Sequence, residues 1–154
     1  MTHNDVLRSV RYLLNVSDGK LGDLVRLGGG DVSEADLVAF LKKDDEPGYR
    51  ECPHQVMSCF LNGLVIYKRG RDDSRGPQPL ELPVTNNTVL KKLRVAFELR
   101  DVDLIAFIET SGLRMTKGEL GSFFRRPDHR NYRACGDQFL RNILKGLSTT
   151  KETR

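Results

Sequence analysis

The chain lacks tryptophan, and aromatic residues make up only 7% of its 154 positions. It has no apolar run close to the roughly 20 residues that a membrane-spanning helix needs, and its polar first residues do not resemble a secretory signal peptide. We therefore expect a cytoplasmic protein without a membrane partner. Three cysteines, an odd number, argue against a disulfide scaffold and fit a reducing compartment.

Charged residues are plentiful, at 30% of the chain, and they are unevenly distributed. Residues 1–66 contain 7 Lys and Arg against 10 Asp and Glu, which gives −3, whereas residues 87–154 contain 14 against 8, which gives +6. Residues 67–86 contribute +1, from 4 basic and 3 acidic side chains. Either the basic half faces an anionic partner, or the two halves attract each other.

The chain contains an internal repeat. When the sequence is shifted by 83 positions, residues 4–64 align with residues 87–147 without a gap. Identical pairs are spread over the alignment and include Asn4/Asn87, Val6/Val89, Asp18/Asp101, Leu21/Leu104, Phe40/Phe123, Arg50/Arg133, Cys52/Cys135 and Gly63/Gly146. Other aligned pairs are conservative substitutions, such as Lys42-Lys43 with Arg125-Arg126. A constant offset over about sixty residues indicates a duplication.

Apolar residues recur at helical spacing four times in each copy, and no segment alternates like a strand. We predict capping boxes at Ser33/Asp36 and Thr116/Glu119. Glycines at 28–30 and Gly112 are expected to end the second helix of each copy. The predicted helices start at Asn4, Asp18, Ser33 and Pro53 in the first copy, and at Asn87, Asp101, Thr116 and Gly136-Asp137 in the second.

These patterns predict an all-α fold of two tandem homologous four-helix units, each with a helix-turn-helix-like hairpin. A sixty-residue unit is marginally stable alone, so we expect the two units to pack around a pseudo-twofold axis. The predicted segments are a first helical repeat over 1–67, an extended and exposed Pro/Gly-rich basic linker over 68–86, a second helical repeat over 87–148 and a disordered tail over 149–154.

Three stretches resemble the YehS-like family of small bacterial cytoplasmic proteins: FLNGLVIYKRG, GPQP and FFRRPDHRNYRACGDQFLRNILKGL. The resemblance covers nearly the whole chain, and the PDHxxYxxC block is its most specific part. The resemblance implies a tandem-repeat protein of unknown function, and it assigns no catalytic or binding residue to this chain. The first copy has DDEPGYREC where the second has PDHRNYRAC, so His129 has no counterpart.

The second and third helices of the second copy resemble a helix-turn-helix, with a connection of about two residues that contains glycine. Gly118 fits poorly, because a recognition helix usually has a packing residue there, and a plain helical hairpin with a solvated face is the simpler interpretation. In a DNA-binding version, basic side chains would contact phosphates. With the linker, the candidate nucleic-acid-binding residues are Lys68, Arg69, Arg71, Arg75, Arg114, Lys117, Arg125, Arg126, Arg130 and Arg133.

A Tyr-Arg-x-Cys motif occurs in both copies, ending at Cys52 and Cys135. The simpler interpretation is structural, with each cysteine a small buried residue at a helix start. The alternative is a thiol whose pKa is lowered by the helix N-terminus, giving a redox-sensitive site.

No motif points to metal binding, a cofactor or catalysis. Cys52, His54 and Cys59 lack the paired spacing of four-coordinate metal sites, and His3 and His129 are isolated in the sequence. The motifs of serine hydrolases, zinc proteases and phosphate-binding loops are absent. We therefore expect a protein that is not an enzyme.

Two functional hypotheses follow. The first is a non-catalytic, regulatory binding protein whose basic second repeat and linker contact DNA or RNA. The second is a protein–protein adaptor, or a homo-oligomeric helical module, with no role in nucleic-acid binding. The sequence does not fix the oligomeric state.

Overall fold

A computed structural model describes the backbone of residues 1–152 and the side chains of residues 1–150. This part of the chain is all-helical, with no strand, as the sequence predicted. It divides into two compact units, a first repeat over Met1–Val84 and a second repeat from Thr85 onward. The α-helices are α1 (His3–Leu14), α2 (Asp18–Leu27), α3 (Glu34–Leu41), α4 (His54–Arg69), α5 (Asn86–Ala96), α6 (Asp101–Thr110), α7 (Lys117–Ser122) and α8 (Asp137–Glu152), with one 3₁₀ turn at Asp73–Arg75.

The first helix of each repeat begins earlier than predicted. Thr2 caps α1 and Thr85 caps α5, and each threonine oxygen accepts a hydrogen bond from the backbone N–H three residues later. The predicted caps, Asn4 and Asn87, were wrong. Both lie inside the first helical turn, so their side chains are available for contacts with other segments.

In both repeats, the end of the second helix and the start of the third helix agree with the prediction. α2 and α6 end beside the predicted glycines, and Gly29 and Gly112 have φ of 93° and 88°, the left-handed region that glycine adopts without strain. Ser33 and Thr116 cap α3 and α7 through their hydroxyl oxygens. The second half of each predicted capping box is different. The Asp36 carboxylate pairs with Arg50, and the Glu119 carboxylate accepts from the Thr116 hydroxyl at 3.2 Å instead of from its backbone.

The linker and the tail are more structured than predicted. Residues 68–69 belong to α4, and residues 79–84, called the strap below, are hydrogen-bonded to the side of α4. α8 runs through Glu152, so the predicted disordered tail over 149–154 is helical as far as the structure describes it, and residues 153–154 lie outside the described part.

Each repeat buries its own apolar core. In the first repeat, α2 and α4 approach so closely at Gly63 that a Cβ there would lie 1.7 Å from the Leu24 carbonyl oxygen. In the second repeat, the equivalent Gly146 contacts the ring of Phe107, 2.4 Å from the position of an added Cβ. The two identical glycines therefore serve close helix packing in both copies. The fully buried large side chains include Leu7, Leu21, Leu24, Met57, Phe60, Leu61 and Leu64 in the first repeat, and Leu90, Leu93, Leu104, Ile108 and Leu120 in the second.

Candidate nucleic-acid interface

The structure separates the ten candidate cations into two sets. Four belong to the first repeat: Lys68 and Arg69 end α4, Arg71 follows it, and Arg75 lies in the 3₁₀ turn with its Nε 3.3 Å from Asp72. The other six belong to the second repeat. These are Arg114, Lys117, Arg125, Arg126, Arg130 and Arg133, and all six are exposed.

The hairpin of α6 and α7 differs from the helix-turn-helix prediction. The connection, residues 111–116, has six residues instead of about two, and α7 has only six residues. At 1.5 Å per residue, α7 is roughly 9 Å long. Arg125 and Arg126 lie beyond its end, so α7 by itself presents Lys117 as its one cation.

The arginines after α7 lie in a compact loop, residues 125–133, called the arginine loop below. Consecutive turns shape it, because the His129 N–H donates to the Arg126 carbonyl at 2.9 Å and the Tyr132 N–H donates to the His129 carbonyl at 3.0 Å. His129 Nδ1 also accepts from the Asn131 N–H at 3.0 Å. The four arginine side chains of this loop therefore extend into solvent from a backbone that is held by its own hydrogen bonds.

Asn87 of α5 fixes the end of the arginine loop. Its Nδ2 donates to the carbonyl oxygens of Phe123 at 3.0 Å and Arg133 at 2.9 Å. Its Oδ1 accepts from the N–H of Cys135 at 2.8 Å. One amide side chain thus joins α5 to both ends of the segment between α7 and α8.

Asn4 makes the same three contacts in the first repeat. Its Nδ2 donates to Phe40 at 2.9 Å and to Arg50 at 2.7 Å, and its Oδ1 accepts from the N–H of Cys52 at 3.1 Å. Asn4 is 1% exposed. The alignment of the two copies contains this signal, because all four positions are identical, although asparagine at these positions is also typical of a helix cap.

Arg50 and Arg133 occupy equivalent positions in the two repeats but have different surroundings. In the first repeat, Arg50 forms an ion pair with Asp36 and lies over the ring of Phe40, 5.4 Å from its centroid. In the second repeat, the residue equivalent to Asp36 is Glu119, which bonds to its own capping threonine. Among the described residues, the guanidinium of Arg133 has no ion-pair partner, so its charge is open to solvent.

The loops after α3 and α7 also differ in their other charges. Residues 42–50 contain Lys42, Lys43 and Arg50 against three acidic residues at 44–46, and the Lys42 Nζ donates to a backbone carbonyl at 2.8 Å. The arginine loop contains four arginines and one acidic residue, Asp128, which lies 3.5 Å from Arg126. The first loop thus has a net charge of 0 and the arginine loop one of +3, which is three of the nine charges by which the two halves differ.

An open cleft of about 550 Å³ lies beside the connection of α6 and α7. Leu113 is 54% exposed there, next to the candidate cation Arg114. The cleft is lined by Glu109, Gly112, Leu113, Arg114, Met115, Thr116 and Glu119. Since carboxylates border it on both helices, it is less suited to an anion than the arginine loop.

Comparison with known proteins identifies the family. The family model described as "Protein of unknown function (DUF1456)" matches residues 3–70 and again residues 86–152. The chain belongs to this family. The two matches coincide with the two repeats and confirm the duplication.

A bacterial relative confirms the resemblance to YehS-like proteins. The chain is similar to the uncharacterized protein YehS of Escherichia coli (strain K12), with 42% identity over 154 residues, which is 100% of this chain and 99% of the relative. No solved structure matches the chain.

The cysteines of this DUF1456 chain are poorly placed for redox chemistry. Cys52 and Cys135 are each 5% exposed. Burial raises the pKa of the Cys52 thiol to about 12, and burial together with the Asp137 carboxylate raises that of Cys135 to about 12. Because the thiolate is the reactive form, the geometry favours the structural interpretation of the Tyr-Arg-x-Cys motif.

His3, isolated in the sequence, has a neighbour in the fold, because its Nε2 lies 3.0 Å from Nδ1 of His54. Across the described residues there is no cluster of three or more His, Cys, Asp or Glu side chains that could hold a metal ion. None of the helices in the same part of the chain has both the length and the apolar character needed to cross a bilayer.

Proposed function

We propose that this protein is a non-catalytic binding protein whose second repeat contacts nucleic acid through the arginine loop. The observation that carries the proposal is the comparison of the two repeats at one position. The first repeat neutralises Arg50 with Asp36, whereas the second presents Arg133 together with Arg125 and Arg130 on an ordered, exposed loop.

Phosphate is the ligand chemistry that suits this arrangement. A guanidinium group binds phosphate oxygens through two parallel N–H bonds and remains charged at every physiological pH. Because the backbone of the loop is fixed by Asn87 and by its own turns, less loop entropy is lost on binding. Such contacts position the protein on the phosphate backbone without reading the bases.

The remaining candidate cations have a smaller part in this proposal. Arg114 and Lys117 belong to the same repeat and could extend the contact. Arg75 is already near Asp72, at 3.3 Å, and therefore contributes less net charge.

The test is a binding titration with labelled single-stranded RNA, single-stranded DNA and duplex DNA, followed by fluorescence anisotropy. Three or four phosphate contacts predict that log K falls with log salt at a slope of roughly −3 between about 50 and 200 mM salt. The variant Arg130→Gln/Arg133→Gln should reduce this slope by about 2. Its matched control, Lys42→Gln/Lys43→Gln, removes the same charge from the equivalent loop of the first repeat and should leave it unchanged.

Two outcomes would contradict nucleic-acid binding through the arginine loop. One is the absence of any salt-sensitive binding at about 50 mM salt. The other is an equal loss of affinity in the two double variants, which would mean that net charge alone, and not the arginine loop, determines binding.

The alternative function, self-association or protein binding, is supported by a different observation. Leu113, which is 54% exposed, and Met115 both line the cleft of the second repeat, and adjacent apolar side chains bordered by charges offer a contact surface. Light scattering coupled to gel filtration tests the homo-oligomeric version. A concentration-dependent increase in mass that Leu113→Ser abolishes would favour it over nucleic-acid binding.

A further inference from the structure

The strap, residues 79–84, is bound along one face of α4. The α4 side chains that bind it are spaced by four residues, which places them on the same side of a helix. All three bonds join an α4 side chain to the strap backbone. They run from the Val84 N–H to His54 Nδ1 at 3.0 Å, from the Glu81 N–H to Ser58 Oγ at 3.1 Å, and from Asn62 Nδ2 to the Pro79 carbonyl at 3.4 Å.

The Asn62 end of this attachment is weak. Its bond to Pro79, at 3.4 Å, is long for a hydrogen bond. The Oδ1 of Asn62 is buried without a hydrogen-bond partner among the described residues, and Pro79 cannot supply one because proline has no backbone N–H. The attachment of the strap therefore depends mainly on His54 and Ser58.

His54 binds the strap through a nitrogen that must be unprotonated. Its Nδ1 accepts from the Val84 N–H and lies 3.0 Å from Nε2 of His3. The bond from the Val84 N–H uses the one lone pair of Nδ1, so His54 is neutral with its proton on Nε2, and a hydrogen bond from His3 shares that lone pair. A single imidazole nitrogen thus holds the strap and the start of α1.

We propose that the strap is an acid-sensitive switch, which protonation of His54 releases from α4. The incoming proton can go only to Nδ1, which changes this atom from an acceptor into a donor. It then faces the Val84 N–H and that bond is lost, whereas His3 can move its own proton to Nδ1 and accept from His54 at Nε2. Release would uncover the polar face of α4 at Ser58 and Asn62, which are now 3% and 2% exposed.

The surrounding charges are compatible with this direction. Burial, and then the neighbouring His54, lower the pKa of His3, whereas the Glu51 carboxylate opposes that shift. His54 is the more exposed of the two rings. Glu81 is the one ionisable side chain of the strap. The burial of Val84, at 4% exposed, favours the docked state, so we expect partial release.

The second repeat provides a natural control for this switch. The positions equivalent to His3 and His54 are Asn86 and Asp137, and the Asn86 Nδ2 donates to the Asp137 Oδ1 at 2.8 Å. The contact between the first and last helices is thus present in both repeats. An imidazole changes charge between about pH 5 and 8, so only the first repeat has a pair suited to respond in that range.

The test is amide hydrogen exchange of the full-length protein, measured by NMR and expressed as protection factors. In the wild type, protection of Glu81 and Val84 should fall about tenfold or more between about pH 7.5 and about pH 5. Protection of Leu61, in the core face of α4, should stay constant. The variant His3→Asn/His54→Asp, which copies the pair of the second repeat, should keep the strap protected at both pH values.

The proposal would be wrong if the strap amides of the wild type show equal protection at both pH values, or none at either. It would also be wrong if the double variant shows the same fall, or if Leu61 loses protection in parallel, since the change would then be global unfolding. If the double variant does not fold, His54→Gln removes the titrating group and should show the same constant protection.

Discussion

Replacing Asn4 by alanine tests the physical account of the fold most directly. Asn4 joins α1 to the Phe40 and Arg50 carbonyls and to the Cys52 N–H. Removing the amide takes this partner from three backbone groups, of which the Phe40 carbonyl and the Cys52 N–H are in buried bonds and the Arg50 carbonyl is in a part-buried one. At about 1 kcal/mol for each lost hydrogen bond, and more where water cannot replace it, the first repeat should lose roughly 3–4 kcal/mol of unfolding free energy. This is a large part of the stability of a small domain.

Asn87→Ala is the matched substitution in the second repeat. Asn87 makes the same three bonds but is only half-buried, so water can replace part of what is lost. We expect a loss of about 1–2 kcal/mol. Asn131→Ala, at an exposed position of the arginine loop, is the neutral control and should change stability by less than about 0.5 kcal/mol.

Asn4→Asp separates hydrogen bonding from packing. The carboxylate has the shape of the amide and can still accept from Cys52. It cannot donate to the Phe40 and Arg50 carbonyls, which lie 2.9 and 2.7 Å from the present donor. At neutral pH this isosteric change should therefore destabilise the first repeat at least as much as alanine does.

The buried thiols allow each repeat to be measured separately. Alkylation in increasing urea, with mass spectrometry of the labelled peptides, reports opening of the first repeat through Cys52 and of the second through Cys135. The reasoning is refuted if Asn4→Ala changes the opening free energy at Cys52 by less than about 1 kcal/mol. It is also refuted if Asn87→Ala costs more than Asn4→Ala.

Other expectations follow from the same structure. Gly63→Ala should cost about 3 kcal/mol or more, because its Cβ would lie 1.7 Å from backbone; Gly146→Ala should cost less, because the ring it meets at 2.4 Å can move. Gly121→Ala, where an added Cβ would meet nothing within 4 Å, is the helical control and should stabilise the protein by up to about 1 kcal/mol. Urea unfolding followed by circular dichroism measures the three glycine variants. Equal losses of stability for Gly63→Ala and Gly146→Ala would contradict the packing explanation. Cys52 and Cys135 should react slowly with a disulfide reagent in the native protein, and a rate like that of a free thiol would show that they are accessible. Because their folded pKa values are raised to about 12, the folded state keeps protons that the unfolded state releases above about pH 9. Stability is therefore complete below pH 9 and falls above it by up to about 1.4 kcal/mol per pH unit for each thiol, a slope that alanine at both positions should largely remove.

Local rules predicted most of the helices. α2, α3, α6 and α7 begin within a residue of the predicted starts at Asp18, Ser33, Asp101 and Thr116, because capping and glycine termination depend on only a few neighbouring residues. The arginines of the arginine loop were also identified from the sequence, since aligning the copies at a shift of 83 positions shows their difference in charge. The connection between α6 and α7 was predicted to have about two residues and has six, because α6 already ends at Thr110 and α7 begins only at Lys117.

The sequence by itself determined that the protein is an all-helical duplication with a basic second copy. Periodicity, caps and self-alignment are local or pairwise properties that the order of residues contains completely. Only the tertiary structure decided what the shared residues do. Asn4 and Asn87 resembled caps until their partners, about 36 and 48 residues away, were in place. The pairing of His3 with His54, 51 residues apart, and the position of the strap on α4 depend likewise on how helices pack, because hydrogen bonds form across space and not along the chain.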